Sequence, residues 1–175
     1  MSPPAAYPEV PEYLLAQWQE LMSLVSVDCG VPAALIMRVH PSQIEVLVSD
    51  GSDSPYHPGD RENLCTGLYC EHVIATRDRL HIPNALTDPA WDHNPDLRLG
   101  MISYLGYPLL WPDGVPFGTV CLLDRDENHH SEDIDRRLEL ARRIIESNLS
   151  LIHETAEHRQ TIAALRQSKQ HLRDA

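Results

Sequence analysis

Residues 69–124, YCEHVIATRDRLHIPNALTDPAWDHNPDLRLGMISYLGYPLLWPDGVPFGTVCLLD, contain a helix signal, a long polar connection and a hairpin signal, in that order. The connection, residues 84–100, holds Trp91 among carboxylates and amides and has no regular apolar period. Connections longer than about 12 residues without secondary structure of their own are uncommon and are usually functional. We therefore expect this loop and the elements on either side of it to carry the function.

The hairpin signal is formed by residues 102–110 and 117–123 around the turn Trp111-Pro112-Asp113-Gly114. Proline presets the first turn dihedral and glycine accepts a positive one, which favours a tight connection. The second strand is apolar on both alternations apart from Thr119, so we expect a central strand covered on both faces. On the other side of the loop, residues 64–76 predict a short helix and residues 81–82 a short strand.

Upstream of residue 64, the pattern predicts one helix and one further hairpin. Residues 1–10 contain three prolines and should be irregular, and Leu14, Trp18, Leu21 and Val25 then recur at helical spacing over residues 11–28. Two runs rich in branched residues, 34–40 and 44–49, predict antiparallel strands. Residues 50–63 are dense in Gly, Pro, Asp and Ser, which is typical of a surface loop.

From Ser131 the sequence predicts one long helix that continues towards the end of the chain, with Ser131 as N-cap. A heptad reading gives two mixed seam columns: Ile144, Leu151, His158, Leu165, Leu172; and Ala141, Asn148, Thr155, Ile162, Lys169. A third column is apolar at Leu138, Ile145 and Ile152 but becomes Arg159, Arg166 and Arg173. We expect the first half to pack on the domain and the second half to leave it, keeping a narrow seam for a partner helix. A solvated, frayed tail is the alternative.

The charge is concentrated in the globular part. Residues 131–175 hold eight acids and eight bases, whereas residues 1–130 hold eighteen acids and six bases, which gives the whole net charge of -12. Without a basic stripe to neutralise phosphates, nucleic acid is not an expected partner. There is no run of 18 apolar residues and no secretory signal, so we expect a soluble, cytoplasmic segment without a membrane span.

The four cysteines are too sparse for a disulfide framework, and reduced, mostly buried thiols are expected. Cys65 and Cys70 with His72 give a Cys-x4-Cys-x-His pattern that has no second half at zinc-site spacing. We therefore expect packing roles and no metal site.

Three segments, LYCEHVI, LHIPNALTDPAW and NPDLRLGMISYLGYPLLWPDGVPFGTVCLLDR, resemble the GAF sensor domain of bacterial signalling proteins. In that family a FCxHxI helix, a VxDA turn, an NP loop, a YxGxPL strand and a DGxxxGTxCxxD hairpin recur. The resemblance covers about residues 10–155. It departs from the pattern at Asn84, where an acid is common, and at Tyr69, where Phe is common.

The resemblance implies an α+β fold: a six-stranded antiparallel sheet with the N- and C-terminal helices on one face and the pocket loops on the other. It divides the chain into an irregular N-terminus (1–10), a GAF domain (11–155) and an extended exit helix (156–175). Family members use the pocket for cyclic nucleotides, bilins, haem, small metabolites or no ligand, so the cofactor stays unknown.

The expected ligand site combines strand, helix and loop residues. Side chains alternate along a strand, so only one of Ser103 and Tyr104 can face the pocket, and we choose Tyr104; by the same alternation Thr119 shares a face with Cys121. Trp91 is either a lid over the pocket or a plug that anchors the loop. The predicted ligand-binding set is Cys70, Asn84, Asp88, Trp91, Asn94, Tyr104, Thr119, Cys121.

Two catalytic or covalent alternatives are disfavoured. Chromophore attachment at Cys70 would need extended loop motifs that this chain lacks, and the free methionine sulfoxide reductase branch uses cysteines in the long loop, where residues 84–100 have none. The interpretation is a non-enzymatic sensor of a small molecule. Because the sequence stops within a helical seam at Ala175, we expect a homodimer that signals through the exit helix to an output domain outside this chain, such as a histidine kinase of a two-component system or a cyclic-di-GMP enzyme. The alternative is a structural dimerisation domain whose pocket is filled by Trp91 and Tyr104.

Overall fold

The computed structural model describes residues 7–51 and 53–175. Its elements follow the order α1 Glu12–Cys29, β1 Ala33–Val39, β2 Gln43–Asp50, β3 Arg61–Asn63, α2 Tyr69–Thr76, β4 Leu80–Ile82, β5 Ser103–Leu110, β6 Pro116–Asp124 and α3 Glu132–Asp174. Two short 3₁₀ helices, Ala85–Thr87 and Pro95–Leu99, lie in the long loop. The irregularity predicted for residues 1–6 lies outside the described residues.

The strands form one six-stranded antiparallel sheet in the order β3-β2-β1-β6-β5-β4. This confirms the predicted fold class and both hairpins, and it places β6 in the centre of the sheet. Residues 117–123 of β6 are all buried, as a strand covered on both faces should be. The β5–β6 connection, residues 111–115, includes Gly114, whose φ of 84° is the positive dihedral that the turn requires.

The two faces of the sheet have separate cores. On one face α1 and α3 cover alternate strand residues, including Ala34, Ile36, Val120 and Leu122, around the buried Trp18. On the other face α2 and the long loop cover the opposite alternation, including Leu35, Met37, Tyr104, Cys121 and Leu123. The strand period of two therefore sorts the same strands between a helix-facing core and a loop-facing core.

Two local predictions were wrong. The segment 50–63 was expected to be loop throughout, but residues 61–63 pair with β2 as a short, exposed edge strand. The helix expected over 64–76 begins only at Tyr69, since Cys65 and Gly67 both have positive φ. The Glu71 carboxylate accepts hydrogen bonds from the backbone N–H groups of Cys65 and Thr66, and this holds the chain in a turn before the helix.

The exit helix α3 is 43 residues long, and Ser131 caps it by accepting the backbone N–H of Ile134. Leu138, Ile145 and Leu149 are buried, whereas residues 157–175 are all exposed. The helix therefore loses its buried face partway along, as its third heptad column predicted. No helix in the described part of the chain combines the length and apolar character that crossing a membrane would need.

One heptad prediction needs correction. The column that begins with Ala141 and Asn148 was placed in the seam for a partner helix, but within the domain this column faces α1. Ala141 is buried, and Asn148 Oδ1 accepts the Trp18 indole N–H at 2.9 Å. The other column stays free in this part of the helix, since Ile144 and Leu151 are 41% and 61% exposed.

Candidate functional site

Four of the predicted site residues form one buried polar cluster on the loop-facing side of the sheet. Tyr104 on β5, Thr119 and Cys121 on β6 and Cys70 on α2 are all buried. The Thr119 hydroxyl donates to Cys70 Sγ at 3.3 Å, and Tyr104 Oη lies 3.4 Å from the same sulfur. These side chains pack against one another, so they form a closed cluster and not the exposed surface of a pocket.

The position of Tyr104 depends on the glycine two residues further along the strand. Residues 104 and 106 share a face, and a Cβ added at Gly106 would lie 2.2 Å from the Tyr104 hydroxyl oxygen. The tyrosine ring is therefore folded over Gly106. It also stacks on Tyr69 of α2, with ring centroids 4.8 Å apart and an interplanar angle of 21°.

The two buried thiols share this polar environment. Burial raises the pKa of the Cys121 thiol well above its ordinary value, while hydrogen bonds from Cys121, Thr119 and Tyr104 lower the pKa of Cys70. The cluster is closed, with Cys70 only 8% exposed. A thiolate is reactive where it is accessible, so this arrangement is suited to an internal hydrogen-bonded wall.

The predicted residues of the long loop mostly organise the loop itself. Asn84 Oδ1 accepts the Leu86 N–H and caps the first 3₁₀ helix, and Asp88 Oδ1 accepts the Ala90 N–H. The buried Asn94 donates through Nδ2 to the Gly67 carbonyl at 2.8 Å and accepts the Asp96 N–H through Oδ1. It therefore connects the second 3₁₀ helix to the turn before α2.

Trp91 packs against α2. Its ring lies 5.4 Å from that of Tyr69 and meets His72 edge to face at 5.5 Å. Of the two expectations for this residue, the contacts support the one in which it anchors the loop to the core. Neither Trp91 nor the buried cluster lines the open cavity of this face.

That cavity has a volume of about 340 Å³ and lies between the free edge of the sheet and the second 3₁₀ helix. Such a volume is at the lower end of the range of about 300–1,000 Å³ found for small-molecule sites. Its apolar lining includes Ile44 and Val46 of β2, Leu68 before α2, and Leu99, while its charged lining is Asp60, Arg61, Glu62, Asp96 and Arg98. Sequence reasoning did not select any of these residues.

Asp96 is the enclosed charge of this cavity. The residue as a whole remains partly exposed, but protein surrounds its carboxyl group, and Oδ1 accepts the Tyr56 O–H at 2.9 Å. Burial raises the pKa of Asp96 to about 6, with a further increase from Glu62, and the Tyr56 hydrogen bond opposes this rise. The same burial and the nearby carboxylate raise the pKa of Tyr56, so its hydroxyl remains a donor.

A larger depression of about 590 Å³ lies at the C-terminal end of α1, bordered by Asp50, Asp53, Asp124 and Asp126 among other residues. It is more open than the Asp96 cavity, and Asp53 and Asp126 are exposed there. Acidic residues on an open surface do not by themselves form a ligand-binding site. We therefore take the Asp96 cavity as the candidate, because it combines enclosure, apolar walls and a perturbed carboxylate.

The cavity wall is linked through short contacts to the start of α3. Met101 follows the second 3₁₀ helix and accepts the Tyr69 hydroxyl through its carbonyl, and the next residue donates to the Asp124 carbonyl. Asp124 in turn accepts Asn128 Nδ2. The Asn128 side chain then accepts the backbone N–H of His130, the residue before the α3 cap.

His130 is itself an unusual residue. Its φ of 39° is left-handed, its side chain is buried, and its Nδ1 has no hydrogen-bond partner among the described residues. Burial, together with the neighbouring His81 at a ring distance of 5.3 Å, lowers the pKa of His130 to about 4. The start of the exit helix is therefore held by a neutral, strained residue.

The sheet, the two separate cores and the cavity define an α+β domain with a pocket on one face of its sheet. Residues 14–146 match the family model described as the GAF domain. This covers more than half of the chain, and the protein belongs to the GAF domain family.

Solved structures give the same fold at low sequence identity. The phycocyanobilin-bound GAF domain of a cyanobacterial phytochrome has a TM-score of 0.67 at 12% identity, covering 81% of this chain and 87% of its own. The GAF domain of a phosphoenolpyruvate-protein phosphotransferase from Acinetobacter has 0.64 at 14%, covering 82% and 86%. The free methionine-R-sulfoxide reductase of Neisseria meningitidis, in complex with its substrate, has 0.64 at 14%, covering 81% and 80%. No curated protein sequence matches the chain.

Proposed function

We propose that this GAF domain is the small-molecule sensor of a cytoplasmic bacterial signal-transduction protein. A ligand occupies the Asp96 cavity and changes how the start of α3 packs on the domain. The exit helix, paired with that of a second copy, carries this change to an output domain outside the chain, such as a histidine kinase or a cyclic-di-GMP enzyme. The observation that carries the proposal is the position of the cavity, one wall of which leads directly into the contacts that hold the start of α3.

The path from the cavity to the start of α3 is short, which supports the relay. The second 3₁₀ helix borders the cavity, ends at Leu99 with Gly100 as its C-cap, and is followed by β5 from Ser103. Ser103, the first residue of β5, lies 3.4 Å from His130 Nε2 and 3.3 Å from the Asn128 carbonyl oxygen. A ligand that shifts the 3₁₀ helix would therefore act on the segment that precedes α3, and it needs only a difference in affinity between two packings.

The exposed half of α3 supports pairing with a second helix. The helix is about 65 Å long at ~1.5 Å per residue, and its residues 157–175 are all exposed in the described part of the chain. Leu165 and Leu172 are 65% and 79% exposed and continue the free column of Ile144 and Leu151. Apart from His158, this column is apolar at seven-residue spacing, which is typical of a helix that pairs with another helix.

One observation favours a second function, that of a structural dimerisation domain. Tyr104 stacks on Tyr69 on the loop-facing side, Trp91 packs at a tilt against the same Tyr69 ring, and the side chains of the adjoining polar cluster are buried. In this case the aromatic side chains are the permanent filling of the fold, and the Asp96 cavity is only a surface recess. The two functions differ in whether any small molecule stabilises the protein.

A metabolite screen by thermal shift tests the sensor proposal, with a matched pair of variants. Leu99 lines the cavity and is 42% exposed, so Leu99→Trp fills the cavity from a position that tolerates a larger side chain. Leu86, in the same loop but outside the cavity, is 61% exposed and provides the control Leu86→Trp. We expect at least one compound to raise the melting temperature of the wild type and of Leu86→Trp, but not that of Leu99→Trp.

Absence of any stabilising compound would support the structural alternative. A compound that stabilises Leu99→Trp as much as the wild type would show binding elsewhere and would remove the cavity from the proposal.

A further inference from the structure

The carboxylate of Asp96 lacks the partner that an enclosed charge usually has. No lysine, arginine or histidine nitrogen lies within 4.0 Å of it among residues 7–51 and 53–175. Among these residues, the one side-chain hydrogen bond that the Asp96 carboxylate accepts comes from Tyr56, which is a neutral donor. Enclosed carboxylates are normally paired with a cation, because a neutral donor satisfies an oxygen without balancing the charge.

The two arginines of the cavity do not fill this role. Arg61 and Arg98 are both exposed at its mouth, and Arg61 faces Glu45 at 3.7 Å. The charged lining consists of three carboxylates and two guanidinium groups, an excess of one negative charge. The rest of the wall is apolar, with Ile44 and Val46 buried at its base.

We propose that the cavity binds a small primary amine, whose ammonium group pairs with Asp96 and whose hydrocarbon part packs on Ile44 and Val46. The inference rests on the proposed sensor function and assigns a ligand class to the same cavity. The ammonium group supplies the positive charge that the neutral Tyr56 hydroxyl lacks. The apolar wall favours a ligand whose remaining part is hydrocarbon over one whose remaining part is polar. A neutral analogue would keep the apolar contact and lose the ion pair, and an acidic analogue would be repelled.

Binding is linked to the ionisation of Asp96, since only the carboxylate attracts the ammonium group. The titratable and charged groups around it, on the surrounding elements, are Tyr56, Asp60, Arg61, Glu62, Tyr69, Cys70, Arg98, Tyr104 and Cys121. With a pKa of about 6, the carboxylate is mostly ionised at pH 7.5 and mostly protonated at pH 5. An amine that stays protonated over this range should bind about tenfold more weakly at pH 5 than at pH 7.5.

Isothermal titration of the full chain with phenethylamine and hexylamine tests this inference, with 2-phenylethanol and 3-phenylpropanoate as neutral and acidic analogues. We expect at least one amine to bind the wild type at pH 7.5 at least tenfold more tightly than either analogue. Asp96→Asn should abolish this preference. Asp92→Asn, the same substitution at an exposed position of the same loop, should keep it.

Tyr56→Phe provides a second readout that does not depend on removing the carboxylate. The Tyr56 hydrogen bond lowers the pKa of Asp96, so its loss should move the midpoint of the amine-binding pH profile upward. An unchanged midpoint would contradict the assigned role of Asp96.

Equal affinity for the amines and for 2-phenylethanol, or unchanged amine binding in Asp96→Asn, would overturn the ligand class, as would the failure of both amines. If a neutral or acidic metabolite then stabilises the wild type but not Leu99→Trp, the sensor proposal stands and only the amine inference fails. If no compound does so, both fail.

Discussion

Enclosing the Asp96 carboxyl group reduces the free energy of unfolding at neutral pH. A carboxyl group whose pKa is raised on folding binds its proton more tightly in the folded state, so ionisation at neutral pH favours unfolding. Residues that serve binding often reduce stability in this way, because the site is arranged for a partner that the unliganded protein lacks. The cost is therefore a measurable sign of a binding role.

Asp96→Asn should stabilise the unliganded protein at neutral pH. The unfolded carboxyl ionises near its ordinary pKa of 3.8 and the folded one near 6, so the stability of the wild type falls as pH rises between these values. The free energy of unfolding of the variant should exceed that of the wild type by about 2–3 kcal/mol above pH 7, and this difference should shrink towards zero near pH 4. Urea unfolding at a series of pH values measures both.

Asp92→Asn is the control for this experiment and should change stability by less than about 0.5 kcal/mol at each pH. A difference between Asp96→Asn and the wild type that does not depend on pH would mean that the carboxyl group is not perturbed as described.

The sequence predicted the residues that lie on regular elements better than those that lie between them. Tyr104, Thr119 and Cys121 could be placed on one face because strand side chains alternate, and the structure puts them there with Cys70. Tyr56 and Asp96 are 40 positions apart in two irregular segments, where no period relates one residue to another. Only the three-dimensional path of both loops brings them together. The sequence therefore could not distinguish Tyr56 and Asp96 from the other polar residues of these loops.

At the scale of elements, α3 is one helix with two environments. Its first half is packed antiparallel to α1, with Arg137 paired to Asp28 at 2.7 Å and Asn148 bonded to Trp18 further along. Its second half is free of the domain. The heptad pattern predicted this division but assigned Asn148 to a partner helix instead of to Trp18 of α1. A seven-residue repeat places a residue on one side of the helix, and it does not say which neighbouring helix lies on that side.

Asn148→Ala should weaken the junction between α1 and α3. The substitution leaves the buried Trp18 indole N–H without its acceptor, which costs about 1–3 kcal/mol. Ser147→Ala, at the exposed neighbouring position, should change stability by less than about 0.5 kcal/mol. Thermal or urea unfolding gives the comparison, and similar values for the two variants would show that the indole bond contributes little.

At the scale of the whole molecule, the sheet separates a helix-covered face from the face that carries the cavity. The helices α1 and α3 cover one side, and α2, the long loop and the cavity cover the other. The proposed signal therefore passes over the ends of the strands, through Asp124 at the end of β6 and Asn128, rather than through the middle of the sheet. The family resemblance predicted this arrangement, whereas the position of the cavity at the β2–β3 edge came only from the structure.

The exit helix should determine the oligomeric state. We expect the full chain to sediment as a dimer at micromolar concentration and a chain ending at residue 155 to sediment as a monomer, since truncation removes the exposed Leu165 and Leu172. Leu165→Lys should also weaken the dimer, whereas Gln167→Lys, which adds the same side chain outside the leucine column, should not. A dimer that survives truncation would place the interface on the domain itself.

Hydrogen–deuterium exchange of the full chain shows whether occupancy of the cavity changes the start of the exit helix. The ligand is any compound that stabilises the wild type but not Leu99→Trp, and that variant with the same compound is the control. We predict altered exchange both at residues 95–103 beside the cavity and at residues 126–140, where α3 begins. Protection confined to the cavity, with residues 126–140 unchanged, would contradict the account.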